Sequence, residues 1–377
     1  MPRRPSLVVL FAFILVAGSA SLAVNGAAGA SSARRAGTHV IARALGRKQF
    51  RNPVLGQGQD PSVVVWHGWY YFTQSSPDAT EITIRRSRSI KTLAAAQRVV
   101  VWTGGLGSSP CCDWWAPELH HIEGRWYIYT AADDGVNADH RLQVLEASQP
   151  LGPYRYAGEL RTPGNHWSID PSPLVLPDGQ LYLFWSGWPG ATNGMQDIYI
   201  ARLKSPTSIS GPRVELSQPT YAWERHAGTV GVYVNESPEP IVHGHTVSLT
   251  YSASGCWTPE YSLGLLSARL GTDLMRRASW TKRTTPLFSS NVKADIYGPA
   301  SNGWFTSPNG KQTWIVFHAV ANPNGSCGTD RMVYAQPARW SPAGTPDLGG
   351  EPRSRATVWN VPAGDPGALL ARKGPGS

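Results

Sequence analysis

The sequence is poor in charged residues and has no extended helical pattern. Only 16% of its residues are charged, although the net charge of +9 is basic. No lysine and arginine run, glycine-rich phosphate loop or zinc-finger spacing is present, so nucleic-acid binding is not expected. After the first 30 residues, no long apolar stretch has the 3.6-residue period of a helix. These absences favour a β protein that has no nucleic-acid partner.

The first 30 residues carry the pattern of an export signal. Arg3 and Arg4 give a basic start, residues 7–17 form an apolar run, and Ala28-Gly29-Ala30 is a small-residue cleavage site. The run is shorter than the roughly 20 residues that a membrane-spanning helix needs. We therefore predict a signal peptide at residues 1–30 and a secreted protein with no membrane attachment after cleavage. Both the twin-arginine and the general export routes stay open.

Turn-forming and aromatic residues are abundant. The 39 glycines and 31 prolines spread along the chain indicate many turns and hence many short strands. Most of the 16 tryptophans and 14 tyrosines are expected to pack between strands. A few are expected to act as flat platforms for the apolar face of a sugar ring.

A five-fold repeat organises the chain from residue 52 to about residue 345. Each unit has an apolar strand, a tight turn and an aromatic strand. The turn glycines are Gly68, Gly124, Gly179, Gly244 and Gly310. Units of this kind are typical of propeller blades, and five hairpins in phase disfavour a β-sandwich. We predict an all-β, five-bladed β-propeller at residues 51–349. It would follow an N-terminal segment at 31–50 and precede a closing segment and flexible tail at 350–377.

A short acidic or proline-containing motif precedes each turn. The five motifs are Asp60-Pro61-Ser62, Trp115-Ala116-Pro117-Glu118, Asp170-Pro171-Ser172, Glu236-Ser237-Pro238 and Gly298-Pro299-Ala300. Because the innermost strands of a propeller surround its central channel, the repeat would bring Asp60, Asp170 and Glu236 to one funnel. A single Asp-Pro would indicate a turn cap or an ion pair, but three acids in register favour catalysis.

Converging carboxyl groups are suited to glycoside hydrolysis with inversion of configuration. One carboxyl must be protonated to release the leaving group, while an ionised one about 6.5–9.5 Å away activates water. A third carboxylate close to the acid would raise the pKa of that acid. The residues alone leave open which acid has which role and which sugar is bound.

These motifs resemble glycoside hydrolase family 43 over nearly the whole exported chain. The segments Ser168–Ser172, Val234–Glu239 and Leu249–Cys256 carry the resemblance together with the first two motifs. It implies that Asp60 is the general base, Glu236 the general acid, and Asp170 the residue that tunes and orients the acid. The stretch Pro259–Leu266 is most similar to the exo-acting α-L-arabinofuranosidases of that family. The residues predicted to bind the sugar are Trp115, Glu118, Trp185, Ser186, His318 and Arg331.

Two positions depart from the family pattern. Ser237 stands where relatives have glycine beside the general acid, and Ser301 replaces a histidine that often contacts a metal ion or its water. A hydroxyl is a weaker ligand than an imidazole, so we expect no metal ligands and no cofactor. His318 matches a second family histidine and is either a channel residue or a hydrogen-bonded core residue.

The four cysteines lie in the exported part of the chain, where disulfides are permitted. Cys256 and Cys327 lie in neighbouring repeats and are predicted to pair. Cys111 and Cys112 are adjacent, so they either form a vicinal bridge or stay unpaired. No second pair or histidine lies at ligand spacing, which argues against zinc.

The sequence thus predicts a monomeric, secreted α-L-arabinofuranosidase acting by inversion on arabinan or arabinoxylan side chains. A β-xylosidase or an endo-arabinanase on the same scaffold is the first alternative. The second is a sugar-binding propeller that has lost catalysis through the changes at Ser237 and Ser301. Retention of all three acids argues against that second alternative, because sugar binding alone does not need them.

Overall fold

The computed structural model describes residues 45–104 and 110–368. The predicted signal peptide, residues 31–44 of the N-terminal segment and residues 369–377 of the tail lie outside these ranges. Within them the regular structure consists of short strands and one-turn 3-10 helices. No helix in the described ranges is long and apolar enough to cross a membrane.

The strands form five successive antiparallel sheets. Strand β1 (Gln49–Phe50) precedes the first sheet. Blade one contains β2 (Gln59–Trp66), β3 (Trp69–Ser75), β4 (Glu81–Ser87) and β5 (Arg98–Thr103); blade two contains β6 (Cys112–Ile122), β7 (Arg125–Asp133), β8 (Arg141–Ala147) and β9 (Arg155–Glu159). Blade three contains β10 (Ser168–Val175), β11 (Leu181–Gly187), β12 (Met195–Ser205) and β13 (Ser208–Ser217); blade four contains β14 (Tyr233–His243), β15 (Thr246–Ala253), β16 (Ser262–Arg269) and β17 (Trp280–Lys282).

Blade five and the C-terminal segment complete the chain. The remaining strands are β18 (Tyr297–Thr306), β19 (Thr313–Val320), β20 (Met332–Pro337), β21 (Arg339–Trp340), β22 (Pro346–Asp347) and β23 (Trp359–Asn360). The 3-10 helices of the described ranges are Ile90–Thr92, Asn137–Asp139, Ala222–Glu224, Arg277–Ser279 and Val292–Ala294.

The innermost strands form a closed ring. Strand β2 contacts β6 and β18, β10 contacts β6 and β14, and β14 contacts β18. Each strand therefore has the preceding and the following blade as its neighbours, which confirms the predicted five-bladed propeller. Blades three and four are also joined by a short parallel pairing of β12 with β14.

The N-terminal segment completes blade five. The backbone N–H of Val54 donates to Val333 at 2.8 Å, and the N–H of Val333 donates to Leu55 at 3.0 Å. The side chain of Asn52, 7% exposed, bonds both the carbonyl and the N–H of Ala335, at 2.9 Å each. The first residues of the domain thus extend the sheet that the last blade begins.

The predicted closing segment and tail, as far as residue 368, contact both blade five and blade one. In blade five, the backbone N–H of Asn309 donates to the carbonyl of Ala363 at 3.1 Å. Strand β23 pairs with β1, and the buried Asp365 accepts a hydrogen bond from the N–H of Ile90 at 2.9 Å. The described part of the predicted tail is therefore held by blades one and five.

One apolar cluster fills each interface between neighbouring blades. Blades two and three, for example, meet through Tyr129, Leu142, Leu183, Trp185 and Tyr199, each at most 3% exposed. The central strands are consequently buried on both faces, as the all-buried pattern of β11 shows. Truncating one of the large aromatic side chains to alanine would cost about 3–5 kcal/mol, because a cavity would remain between two blades.

The same backbone irregularity recurs at the mouth of all five inner strands. Asp60, Ala116, Asp170, Ser237 and Ser301 have φ values between 43° and 52°, in the left-handed region that non-glycine residues rarely adopt. In each blade this residue lies where the pairing with the next strand shifts register. Such bulges turn one side chain away from the ordinary alternation of a strand.

The bulges correct the predicted alignment of the repeats. In blade five the equivalent pair is Ser301-Asn302, and the predicted motif Gly298-Pro299-Ala300 lies before it. Glu236 also precedes its bulge by one residue, whereas Asp60 and Asp170 occupy theirs. The three acids are therefore not in register. The sequence did not reveal this one-residue offset, because the proline of each of these three motifs follows the bulge residue, whether or not that residue is the acid.

The ring closure gives a prediction about stability. Asn52→Ala should lower the free energy of unfolding by about 2–5 kcal/mol, because it leaves a buried N–H and a buried carbonyl of Ala335 without partners. Urea unfolding measures the change. The matched control is Asn324→Ala, an exposed loop amide expected to change stability by less than about 0.5 kcal/mol. A loss no larger than that of the control would show that the Asn52 contacts do not hold blade five.

Candidate active site

A pocket of about 580 Å³ opens at the mouth of the central channel. Every blade contributes to it: Gln59 and Asp60 from blade one, Trp115 from blade two, Trp167, Asp170 and Trp188 from blade three, Glu236, Trp257 and Tyr261 from blade four, and Arg331 from blade five. The propeller thus brings residues that are far apart in sequence to one site.

The bulge residues are linked by hydrogen bonds around the channel axis. The N–H and hydroxyl of Ser237 lie 3.0 and 3.2 Å from Oδ2 of Asp170. The hydroxyls of Ser237 and Ser301 are 3.3 Å apart, and the hydroxyl of Ser301 donates to Oδ1 of Asp60 at 2.9 Å. We call these four residues the axial ring. The bulges thus connect blades three, four, five and one through their own side chains.

Ser75 extends the axial ring to blade two. Its hydroxyl donates to Oδ2 of Asp60 at 2.7 Å and accepts the N–H of Ala116 at 2.8 Å. Ala116 is the bulge residue of blade two, so all five bulges are connected. Both carboxylate oxygens of Asp60 are held by hydroxyl donors, which fixes the orientation of this carboxylate.

Asp60 is held in its ionised form. Burial alone would raise the pKa of Asp60, but the Arg331 guanidinium opposes this effect with Nη1 at 3.5 Å from Oδ1. The hydrogen bonds from Ser75 and Ser301 act in the same direction, and the pKa of Asp60 lies below its usual value. A carboxylate of this kind is a base over the whole neutral and mildly acidic range.

Glu236 and Asp170 have raised pKa values, in contrast to Asp60. Burial, with a smaller effect of the nearby Asp60 charge, raises the pKa of Glu236 to about 7. Burial and the charges of Glu236 and Asp60 likewise raise the pKa of Asp170 well above its usual value. Glu236 and Asp170 together therefore retain a proton near neutral pH. The hydroxyl of Tyr261 donates to Oε1 of Glu236 at 2.8 Å, which leaves Oε2 available to carry that proton.

The pocket therefore contains an ionised Asp60 together with two carboxyl groups, Glu236 and Asp170, whose raised pKa values let them keep a proton near neutral pH. Such a difference in protonation within one site is what general acid and base catalysis requires. The ionised Asp60 is suited to accept a proton from water. Glu236, with a pKa near neutrality, is suited to donate one.

Hydrogen bonds engage the hydroxyl groups of the axial ring. Ser301 donates its proton to Asp60 and approaches Ser237. Within residues 45–104 and 110–368, no group of three or more histidine, cysteine and acidic side chains is arranged to hold a metal ion.

Two predicted sugar-binding residues lie in the pocket. Trp115 lines its wall and stacks on His140, with 3.9 Å between ring centroids. Arg331 also lines it and is 9% exposed. Its Nη1 lies 3.5 Å from Oδ1 of Asp60.

Four other predicted sugar-binding residues do not line this pocket. Trp185 and Ser186 are fully buried, the first in the cluster between blades two and three. Both neighbouring strands pack against β11, so the alternation of side chains gave no indication of which residues would be accessible. Glu118 lies below the axial ring, beside Glu239, and bonds His120 at 2.9 Å. Glu118 and Glu239, each two residues after its bulge, line a small cavity that is separate from the pocket.

His318 contacts the backbone of Asp60 and does not line the pocket. It is 1% exposed, and its Nδ1 accepts the backbone N–H of Asp60 at 3.1 Å. Burial and the Arg331 charge lower the pKa of His318 to about 3, so the ring is neutral. This contact helps to hold the left-handed backbone of Asp60.

The sequence did not single out three tryptophans that line the pocket or the tyrosine that bonds Glu236. Trp167 and Trp188 stack at 5.0 Å between centroids, and Trp257 lines the opposite wall. No local sequence pattern marked Tyr261, which bonds Glu236, as a residue of the site. Tyrosine and tryptophan are so frequent in this chain that only tertiary contacts distinguish site residues from core residues.

Both pairs of cysteines form disulfides. Cys256 and Cys327 join loops of blades four and five and line the pocket. Cys111 and Cys112 form the vicinal bridge, one of the two alternatives that the sequence left open.

The raised pKa of Glu236 gives a prediction about stability. Between about pH 4.5, the ordinary value for glutamate, and about pH 7, the unfolded chain releases a proton that the folded protein retains. Stability from this group therefore falls as pH rises through that window. Glu236→Gln, which cannot ionise, should gain melting temperature relative to the wild type between pH 4.5 and 7, with no further gain above. The control is Glu260→Gln at an exposed glutamate. A constant difference across this window would contradict the assignment.

The chain matches known proteins over most of its length. A family model described as "Glycosyl hydrolases family 43" matches residues 50–346. An "Extracellular exo-alpha-(1->5)-L-arabinofuranosidase" of Streptomyces avermitilis is 36% identical over 328 residues, covering 82% of this chain and 65% of the relative. "Alpha-L-arabinofuranosidase 43" of Humicola insolens is 37% identical over 314 residues, covering 80% of this chain and 63% of the relative.

The chain thus spans slightly less than two thirds of the length of these two relatives. The crystal structure of α-L-arabinofuranosidase from Lactobacillus brevis superposes with a TM-score of 0.75 at 30% identity. That superposition covers 81% of this chain and 98% of the other. Because the matched residues include all five blades and the pocket between them, the chain belongs to glycosyl hydrolase family 43.

Proposed function

We propose that this protein is an α-L-arabinofuranosidase that removes terminal arabinofuranosyl residues with inversion of configuration. The observation that carries the proposal is the pairing of an ionised Asp60 with a protonated Glu236 in one pocket. The names of the relatives from Streptomyces avermitilis and Humicola insolens support arabinofuranose as the sugar.

The proposed reaction uses each side chain in the state that its surroundings favour. Asp60, oriented by Ser75 and Ser301, removes a proton from the water that attacks the anomeric carbon. Glu236 donates its proton to the leaving oxygen as the glycosidic bond breaks. The hydroxyl of Tyr261 then stabilises the new carboxylate, because a donor to the charged form favours that form.

Asp170 is proposed to orient the acid and to maintain its proton. Its carboxyl is held by the N–H and hydroxyl of Ser237, the residue that follows Glu236. This contact fixes the backbone beside the acid. Ser237 therefore provides a hydroxyl contact that glycine at this position would lack.

The name of the relative from Streptomyces avermitilis supports exo action. Loops of all five blades line the pocket, and its wall includes Trp115, Trp167, Trp188 and Trp257. We propose arabinan or arabinoxylan side chains as the substrates, a monomeric state and export from the cell, the last supported by the relative named extracellular.

One experiment tests both the sugar and the stereochemistry. Proton NMR during early hydrolysis of an α-L-arabinofuranoside should show the β anomer of arabinose first, before mutarotation. A β-D-xylopyranoside should be hydrolysed far more slowly, and Asp60→Asn should abolish the reaction. Faster release of xylose would favour the xylosidase alternative. Retention of configuration would overturn the roles of the two carboxyl groups, and the absence of any hydrolysis would favour a binding protein.

The role of Glu236 predicts a dependence on the leaving group. Glu236→Gln should lower the rate by roughly 10²–10⁴-fold on arabino-oligosaccharides, whose leaving group needs a proton. Aryl arabinofuranosides with acidic phenols should lose much less. The steady-state rates of the variant and of the Glu260→Gln control on both substrates measure the difference. Equal losses on the two substrates would exclude Glu236 as the acid.

We also propose that catalysis requires no metal ion, on the basis of the hydrogen-bonded axial ring. Activity should survive prolonged chelation, and added calcium should change the melting temperature little, since a ligand stabilises only when it binds the folded state. Loss of activity in chelator that calcium restores would contradict this proposal.

A further inference from the structure

Arg331 lies at the end of a loop that has few contacts with the rest of the protein. The loop covers residues 321–331, between β19 and β20. Apart from the contacts of Arg331, its hydrogen bonds in the described part of the chain are local, such as Ser326 to Asp330 at 2.5 Å and Gly325 to Asn322 at 3.0 Å. Local bonds of this kind shape the loop but do not fix it on the propeller.

Two contacts join this loop to blade four. One is the Cys256–Cys327 disulfide, with 5.2 Å between the Cα atoms. The other is the close approach of Gly325 to Thr258, where a Cβ would lie 2.3 Å from the Thr258 carbonyl carbon. Both contacts are to the loop of residues 255–261, which also carries Trp257 and Tyr261 of the pocket.

The guanidinium of Arg331 is held by the backbone next to the disulfide. Nη2 donates to the carbonyl of Cys327 at 2.7 Å, and Nε donates to the carbonyl of Gly328 at 3.1 Å. Nη2 also bonds the side chain of Gln59. Nη1 is left to face Asp60 at 3.5 Å. The position of the positive charge therefore depends on where residues 327 and 328 lie.

We propose that the Cys256–Cys327 disulfide is a positioning element for the reaction, because it fixes the carbonyl groups that hold Arg331 against the carboxylate of Asp60. The inference rests on the proposed function, in which Asp60 is the base. It assigns the disulfide a role in the chemistry of the site in addition to its role in stability. Arg331 acts here through Asp60 and is a positioning residue.

The groups that face Asp60 determine the direction of the effect. Arg331 and the neutral His318 come from blade five, Glu236 and Tyr261 from blade four, and Asp170 from blade three. Arg331 is the cation among the groups that affect Asp60 in the described residues. If its guanidinium moves away, the pKa of Asp60 rises. As the pH is lowered, Asp60 is then protonated, and stops acting as a base, at a higher pH than in the wild type. The pKa of Glu236, which Arg331 also lowers, rises as well.

The test is the pH profile of kcat/KM for an aryl arabinofuranoside. The double variant Cys256→Ala/Cys327→Ala should move the acidic limb about one unit to higher pH, the lower end of the effect of a nearby opposite charge. The alkaline limb should move in the same direction. The matched control, Cys111→Ala/Cys112→Ala, removes the other disulfide and should leave both limbs in place. A uniform fall in kcat/KM at all pH values would mean that the disulfide is only structural.

A double-mutant cycle tests whether the effect passes through Arg331. Arg331→Met should shift the acidic limb at least as far, and removal of the disulfide in that background should add no further shift. If removal of the disulfide shifts the acidic limb as far in the Arg331→Met background as it does in the wild type, the proposal is overturned. If the cysteine variant does not fold, reduction of the folded Cys111→Ala/Cys112→Ala protein by a thiol gives the same comparison.

The outcome is separable from that of the proposed function. Hydrolysis by the wild type and its loss in Asp60→Asn report on the function alone. Without hydrolysis, NMR titration of ¹³C-labelled aspartate carboxyl groups still measures Asp60 in each variant, with Asp60→Asn identifying its signal. An Asp60 titration that is identical with and without the disulfide would refute the inference whatever the substrate is.

Discussion

The axial ring of hydrogen bonds is the feature on which the site depends. Five bulge residues take a left-handed backbone conformation that costs of order 1–3 kcal/mol at each non-glycine position. Such conformations persist only when their surroundings determine them. Here each bulge is held by the next: Asp170 by Ser237, Ser237 by Ser301, Ser301 by Asp60, and Asp60 through Ser75 by Ala116. The same contacts that hold the backbone also orient the two aspartates.

The surroundings of each carboxyl group explain why these groups differ in protonation. Asp60 receives two hydroxyl protons and faces Arg331, so its charged form is stabilised. Glu236 lies one residue before its bulge and faces Tyr261 in the wall of the pocket, where burial has the larger effect. Asp170 occupies its bulge as Asp60 does, yet burial and the charges of Glu236 and Asp60 raise its pKa, so the nearby Arg331 and not the bulge position distinguishes Asp60. Burying the acid destabilises the fold at neutral pH, a cost that is common at active sites.

Closure of the propeller keeps these groups in place. The N-terminal segment extends blade five through Leu55 and Asn52, so neither end of the ring is free to open. Where blades five and one meet, a Cβ on Gly303 would lie 2.9 Å from the carbonyl of Pro61, which shows how closely their inner strands approach. This junction lies beside Ser301 and Asp60, whose hydrogen bond crosses from one blade to the other.

The sequence was sufficient for the repeat and for the acids, because both depend on local patterns. Hairpin turns require glycine at positive φ, and strand periodicity is read directly from apolar residues, so five blades could be counted. Asp60, Asp170 and Glu236 were found because proline marks the start of each inner strand. The sequence could not show that Glu236 is offset by one residue, since a bulge changes pairing and not composition.

Tertiary structure alone decided which side chains face the ligand. Trp185 and Trp188 lie close together in sequence, yet one fills a blade interface and the other lines the pocket. Glu118 and His318 have the residue types of a site, but the first points below the axial ring and the second supports Asp60 from behind. The physical reason is that strands buried on both faces have no polar side to reveal their orientation. Accessibility in this protein is set by how the blades pack around the axis, and that information is not contained in any single blade.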